Sequence, residues 1–294
     1  MEELKECIIC NHKYFNNFIV CKDYFLSEEV FSICECRNCG FKFTNPRPLP
    51  DNLPRYYDPN EYLSYTNSKK GFLSLIYKLI KNFTIRRKYL TINKLFYTGT
   101  ILDIGCGTGD FLNYFKKNNW LTYGIEPNKF ARDYAIKNYN IDVKQENEIN
   151  NFPANHFNVI TMWHSLEHVS SLSDLINNIT RILKDTGILV VAVPNCDSWD
   201  AKYYKEHWAA YDVPRHLYHF NPKTLSLLFK NHSFKIVNTF PMIFDSFYIS
   251  LLSEKYLSGK TKYFKALANG IKSNFYARKY GKNYSSLLYI LKKE

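Results

Sequence analysis

The chain has 294 residues, which suits one large domain or two smaller ones. Hydrophobic residues make up 46% and aromatic residues 17%, with only 11 Gly and 11 Pro, so a sizeable core is available and collagen-like, low-complexity and wholly disordered chains are excluded. The 39 Lys and Arg outnumber the 27 Asp and Glu, a formal charge of +12 that would attract nucleic acid, anionic lipid or phosphorylated small molecules; a compositional bias toward Lys explains it equally well.

The N-terminus, Met1-Glu2-Glu3-Leu4-Lys5-Glu6, lacks the basic and apolar regions of a secretory signal. The longest apolar candidate, 241–252, contains Asp245 and falls short of the roughly 18 residues needed to span a bilayer. A cytoplasmic protein is therefore expected. Six of the eight cysteines lie in the first 39 residues. Cys7 and Cys10 form one C-x2-C pair and Cys36 and Cys39 another, 25 residues apart. Four thiolates in two such knuckles close a tetrahedral Zn²⁺ site, and Gly40 permits the tight turn of the second knuckle. With all four positions filled by protein, the zinc is read as structural. Cys21 and Cys34 are left over, and Cys34 is read as a strand residue. The predicted zinc ribbon covers 1–45.

Pro46, Pro48 and Pro50 then make a stiff connector, and the domain boundary is placed at 45–65, around Tyr56-Tyr57-Asp58-Pro59. Connector and N-terminal helices occupy 46–98. Residues 70–97 read as a helix packing Leu73, Ile76, Tyr77, Ile80, Phe83 and Leu90 inward, with Lys78, Lys81, Arg86, Arg87 and Lys88 on a solvated face. From residue 100 strand and helix alternate: strands at 100–104, 122–125, 158–162 and 188–193, helices at 110–118, 129–138, 172–183 and 222–231. This predicts a mostly parallel sheet covered by helices. Two late strands, 235–240 and 286–291, bracket a helical, Tyr- and Lys-rich insertion at 244–281.

The first strand of this series meets Asp103-Ile104-Gly105-Cys106-Gly107-Thr108-Gly109, and the second ends in Glu126. Glycines at 105, 107 and 109 allow close backbone approach to a ligand, and a carboxylate at the end of strand 2 is placed to bind a ribose diol. The spacing is not the G-x-G-x-x-G of dinucleotide folds, nor is there a P-loop G-K-[ST]. These segments resemble class I S-adenosylmethionine-dependent methyltransferases, whose first strand ends in D/E-x-G-x-G-x-G. The resemblance extends to Phe157-Asn158-Val159-Ile160, where Asn158 stands for the family's Asp, and to Leu183-Lys184-Asp185-Thr186-Gly187, which is similar to its L-K-P-G-G turn. It implies an α/β fold with a Rossmann-like seven-stranded methyltransferase sheet over 99–294, the late strands being antiparallel, joined to a small N-terminal zinc ribbon. It further implies that S-adenosylmethionine is the cofactor, held by Asp103, Gly105, Cys106, Gly107, Gly109 and Glu126, with Glu146 near the adenine and Trp163 and His164 bordering the donor.

The ribbon running into Asn45-Pro46-Arg47-Pro48 resembles a bacterial subset often linked to cell-surface polysaccharide or modified-sugar biosynthesis, whose sugar C-methyltransferases usually carry an additional C-terminal domain that is not expected here. His164-x-x-Glu167-His168 also matches an inverted zinc-peptidase pattern, which is set aside because no third ligand is evident. His168 faces the substrate or merely fixes the next helix start. The segment Asp212-Val213-Pro214-Arg215-His216-Leu217-Tyr218-His219 supplies further candidates. His168, His216 and His219 are the candidate bases, since imidazole removes a proton near neutral pH. Arg215 and Tyr218 are the candidate acceptor contacts, Arg215 for a phosphate or carboxylate. The expected partner is a small, possibly phosphorylated acceptor: a sugar, nucleotide sugar or glycan precursor. The alternatives are an RNA methyltransferase and a non-enzymatic, zinc-dependent adaptor with a vestigial cofactor fold.

Overall fold

The computed structural model describes residues 1–57 and 72–294, without the side chains of 72–79. The part of the predicted boundary from Asp58 onward, and the inward roles of Leu73, Ile76 and Tyr77, lie outside these described residues. Strands β1 (Phe15–Lys22), β2 (Val30–Cys36) and β3 (Lys42–Thr44) form an antiparallel sheet. Its fourth strand is β9 (Tyr218–His219), which pairs with β3 through Lys42↔His219 and Phe43↔Tyr218. Phe41 and Phe43 are buried there and stack on one another, with Tyr218 and Phe220 beside Phe41.

The larger sheet has seven strands in the order β10-β11-β8-β7-β4-β5-β6. These are β4 (Thr100–Ile104), β5 (Leu121–Ile125), β6 (Asp142–Lys144), β7 (Phe157–Trp163), β8 (Leu183–Pro194), β10 (Phe234–Pro241) and β11 (Ser286–Lys293). β4 to β8 run parallel, whereas β11 is antiparallel to both β8 and β10. This is the Rossmann-like seven-stranded α/β sheet that the resemblance implies. The central strands are covered on both faces, and so read as continuous apolar runs.

Helices fill the crossovers: α1 (Phe72–Asn93) precedes the sheet, then α2 (Asp110–Lys116), α3 (Lys129–Tyr139), α4 (Leu172–Ile182), α5 (Trp199–Tyr204), α6 (Pro222–Lys230), α7 (Asp245–Ser258) and α8 (Tyr263–Lys279). α4 buries Leu172, Leu175, Ile176, Ile179 and Ile182 at three- and four-residue steps, each worth about 2 kcal/mol of gross burial energy. α3 starts where Asn128 Oδ1 accepts from Ala131 N at 3.0 Å and stops at left-handed Asn140. Asn221 caps α6 in the same way, ahead of Pro222. Among the described residues no helix is long and apolar enough to cross a membrane.

Two expectations change. The stretch 183–187 is not a free turn; it lies inside β8, where Phe157 pairs with Leu183 but Val159 with Ile188, so residues 184–187 bulge outward. Asn158 keeps the anchoring role of an acid there: its Oδ1 accepts from Thr100 N, Thr100 Oγ1 and Lys184 Nζ at 3.0–3.1 Å. α1 is turned over. Ile80, Phe83 and Leu90 are exposed, while Lys81 and Lys88 point at the domain, which α1 grips through Tyr89 and buried Ile92.

Candidate functional site

At the carboxyl end of β4 the backbone turns sharply. Gly105 N and Cys106 N both donate to Ile125 O, at 2.8 and 3.1 Å, tying the turn to the end of β5. Gly105, Gly107 and Gly109 all hold left-handed backbone, at φ +80°, +53° and +78°. A Cβ at Gly105 would lie 2.7 Å from Ser165 Cβ and one at Gly109 2.8 Å from Ala135 Cβ, so these two glycines serve packing. Gly107 differs: a Cβ there would meet nothing within 4 Å, so its face is an open cradle. Cys106 turns its thiol inward against Gly124, leaving only its backbone to a ligand.

Two carboxylates flank the cradle. Glu126 is 2% exposed; its Oε2 accepts from Gly107 N at 2.8 Å and its Oε1 from Asn128 N at 2.9 Å. Asp103 Oδ1 accepts from Thr161 Oγ1 at 2.6 Å. Burial pushes the Asp103 carboxyl up to about 7, although the Thr161 bond and the Lys88 charge oppose the rise. Beyond Glu126, Pro127, Gln145, Glu146 and Asn147 line an open hollow in which burial raises the Glu146 carboxyl. An open glycine face, a buried diol-sized carboxylate and a hollow one step further fit the ribose and adenine of S-adenosylmethionine.

α1 contributes what the solvated-face reading missed. Lys81 Nζ lies 2.8 Å from Asp110 Oδ2 in the first turn of α2, and Lys88 Nζ sits 3.9 Å above the Trp163 ring. Burial lowers the Lys88 ammonium to about 8, against the pull of Asp103 and Asp245. The signal available in the sequence was the seven-residue spacing of the two lysines, which puts both on one helix face.

The predicted histidines separate into distinct settings. His164 holds a left-handed φ of +52°, with Nε2 3.0 Å from Asp245 Oδ2 and Nδ1 3.6 Å from Glu167 Oε1. Burial alone would lower it, but the Asp245 and Glu167 carboxylates raise it to about 10, so it is an imidazolium. His168 and His216 meet edge to face, with ring centroids 4.6 Å apart. His168 Nδ1 lies 3.0 Å from Arg215 O and 3.0 Å from Tyr57 Oη. A carbonyl only accepts, so the proton sits on Nδ1 and Nε2 carries the lone pair. Burial and the neighbouring His216 lower His168 to about 4, so it stands neutral. His216 Nδ1 donates to Ala210 O at 2.9 Å, and its Nε2 lies 3.9 Å from Glu167 Oε1 and 3.8 Å from Asp212 Oδ2. Glu167 is buried with no hydrogen bond to either oxygen, held ionised below the usual carboxylate range by the histidines around it.

His219 sits in β9, against β3 of the smaller sheet. Its Nε2 is 3.2 Å from Thr44 Oγ1, and burial keeps it neutral, well below the ordinary imidazole range. Arg215 has its charge matched inside the protein: it donates to both Asp212 oxygens, to Asp23 Oδ1 and to Tyr56 O. Tyr218 Oη donates to Ser170 O at 3.0 Å and accepts from Arg47 at 2.8 Å. His219, Arg215 and Tyr218 are thus all placed as internal ties, which neither a base nor an acceptor contact requires.

In the N-terminal module the Sγ atoms of Cys7, Cys10, Cys36 and Cys39 all lie within 4.8 Å of one another, with Cys7–Cys39 and Cys10–Cys36 at 3.6 Å. Four convergent thiols with no disulfide fit a closed tetrahedral Zn²⁺ site. Cys34 lies in β2 and Cys21 is buried in β1, outside this group.

A protein-family profile described as a methyltransferase domain matches residues 78–239. An uncharacterized protein of Methanocaldococcus jannaschii is 31% identical over 147 residues, 48% of this chain and 59% of that protein. The chain thus spans less than two thirds of the length of that curated relative. The structure of a SAM-dependent methyltransferase from Archaeoglobus fulgidus is similar with a TM-score of 0.50 at 18% identity, over 79% of this chain and 100% of that one. At that identity the likeness concerns the fold.

Proposed function

The chain belongs to the methyltransferase-domain family, and from that premise we propose that it is an S-adenosylmethionine-dependent enzyme that methylates a hydroxyl of a small acceptor: a sugar, nucleotide sugar or glycan precursor. The bound sulfonium supplies an already activated methyl group, so the protein's tasks are alignment and proton removal. The open face of Gly107 and the Glu126 carboxylate hold the donor, and Glu146 borders its base. Trp163, with Lys88 above its ring, would border the donor.

The observation that carries the acceptor reading is the neutral imidazole of His168, whose Nε2 no protein group bonds among the described residues. On this reading His168 Nε2 takes the acceptor's proton. His216, hydrogen-bonded to Ala210 O, and the Glu167 and Asp212 carboxylates behind it steady the positive charge that forms. The charges around this cluster are mostly carboxylates, and Arg215 is spent on two of them. That arrangement favours an uncharged sugar hydroxyl at the base over the phosphate backbone that RNA would bring beside it. The N-terminal thiols hold a structural zinc.

A methyl-transfer screen over nucleotide sugars, simple glycosides and RNA tests the assignment. His168→Gln should lower kcat by about 10²–10⁴ while leaving S-adenosylmethionine affinity in place. Methylation of RNA alone, or a His168→Gln variant with unchanged kcat, defeats the proposal.

A further inference from the structure

Helix α8 is packed with its small face inward. It buries Ala266, Asn269, Gly270, Ser273 and Ala277 and exposes Phe264 (92%), Leu267 (53%), Ile271 (55%) and Phe275 (58%) along the opposite stripe. A helix whose outer face meets water shows the reverse arrangement. The orientation is fixed. Asn269 Nδ2 donates to Tyr204 Oη at 2.9 Å and to Glu254 Oε1 at 3.2 Å, and Ser273 Oγ donates to the buried Asp200 at 2.7 Å. A Cβ at Gly270 would lie 2.5 Å from the Phe247 ring. Rolling the phenyl groups inward would break all of these at once, so the fold commits them to the surface.

The charge around the stripe is one-sided. Between residues 255 and 293 there are ten Lys and Arg and no Asp or Glu, leaving 29 Lys and Arg against 27 Asp and Glu elsewhere. Almost the whole +12 is therefore concentrated in this segment. Lys260, Lys262, Lys272, Arg278, Lys279 and Lys282 are exposed, and Tyr263 and Tyr280 stand exposed at the two ends of the stripe.

We infer that this face docks the protein on an anionic lipid bilayer, with α8 lying in the plane of the interface. Phenyl and aliphatic side chains enter the acyl boundary, tyrosines sit at headgroup depth, and the lysines meet anionic headgroups. Charge complementarity selects this occupant. A second copy of the chain would bring two strongly basic patches together, and single-stranded RNA gains stacking from aromatic rings but nothing from Leu267 and Ile271. The inference does not depend on the acceptor.

The test is co-sedimentation of the full, zinc-loaded chain with vesicles of phosphatidylcholine alone or mixed with phosphatidylglycerol. Binding is expected to the mixed vesicles, weakening roughly tenfold or more in high salt and in the variant Phe264→Ser/Ile271→Ser/Phe275→Ser. That variant alters only exposed side chains, so its S-adenosylmethionine affinity and melting temperature should match wild type, which separates loss of docking from loss of fold or of donor binding. Failure of wild type to sediment with the mixed vesicles overturns the inference. So does equal binding by the variant, or a lipid-free dimer that the variant converts to monomer.

Discussion

Gly105 and Gly107 hold similar left-handed backbone, yet their surroundings predict different failures on substitution by alanine. Left-handed backbone costs a non-glycine residue about 1–2 kcal/mol, so Gly107→Ala should lose about that in stability, or about 2–8 °C in melting temperature. Its new methyl meets no protein atom within 4 Å and projects into the cradle where the donor would lie. Overlap of one methyl with a bound group costs about 1–3 kcal/mol, which is about a five- to 150-fold loss of affinity. Gly105→Ala adds overpacking of about 1–3 kcal/mol to the same backbone cost, because its methyl would fall 2.7 Å from Ser165 Cβ, and Ser165 is itself held by its 2.7 Å bond to Ile104 O. Calorimetric titration with S-adenosylmethionine, paired with thermal melts, reads both quantities. Gly107→Ala should fold and bind the donor more weakly by that factor, whereas Gly105→Ala should lose roughly twice the stability. Wild-type donor affinity in Gly107→Ala would refute the placement of the donor on that face.

Glu126→Gln removes a charged acceptor from two backbone N–H groups, and its amide can satisfy only one of them. A stability loss of about 1–3 kcal/mol and more than roughly tenfold weaker donor binding are expected, and unchanged binding in the same titration would contradict a ribose role. Asp103 titrates near 7 in the folded chain against 3.8 unfolded, so the folded state binds the extra proton between those values. Its contribution to stability is full below the unfolded value and is lost as pH rises through about 7. The urea midpoint of wild type relative to Asp103→Asn should therefore fall between about pH 4 and 7 and level off above, and a flat difference would show that Asp103 ionises normally. Removing zinc, or Cys36→Ser, should lower one common melting transition, since β2 carries Cys36 and is tied through β3 to β9. A ribbon that melts separately while the rest stays put would disprove that coupling.

The parts legible in the sequence are those set by local rules. Strands β4, β5, β7 and β11 follow from short apolar runs, the cradle from glycine spacing, and the thiol cluster from two C-x2-C pairs. The errors came from long-range partners. α1 carries apolar residues and lysines at helical spacing on two faces, and only the presence of Asp110 and Trp163 across the gap decides that the lysines turn inward. Arg215 has the chemistry of an anion-binding side chain. One of its carboxylates, Asp212, stands three residues before it and was the available signal, whereas the other, Asp23, lies 192 residues away in sequence. β9 is two residues long, too short for any periodicity, and exists because β3 offers an edge to it.

That edge also bears on how the N-terminal module acts on the chemistry. The segment 212–219 holds Asp212, Arg215 and His216 on the site side and, three residues later, His219 in β9, paired with β3 of the N-terminal module. Arg215 bonds Asp23 and Tyr56 O from the N-terminal part of the chain, and its own carbonyl oxygen accepts from the proposed base, His168. The position of His168 Nε2 thus depends on a carbonyl held by a side chain anchored in the ribbon half. Arg215→Lys, which keeps the charge but loses the fork, should lower kcat more than it raises the KM for the acceptor, with donor affinity intact. A change confined to donor binding would show that the ribbon half supports the fold without positioning the base.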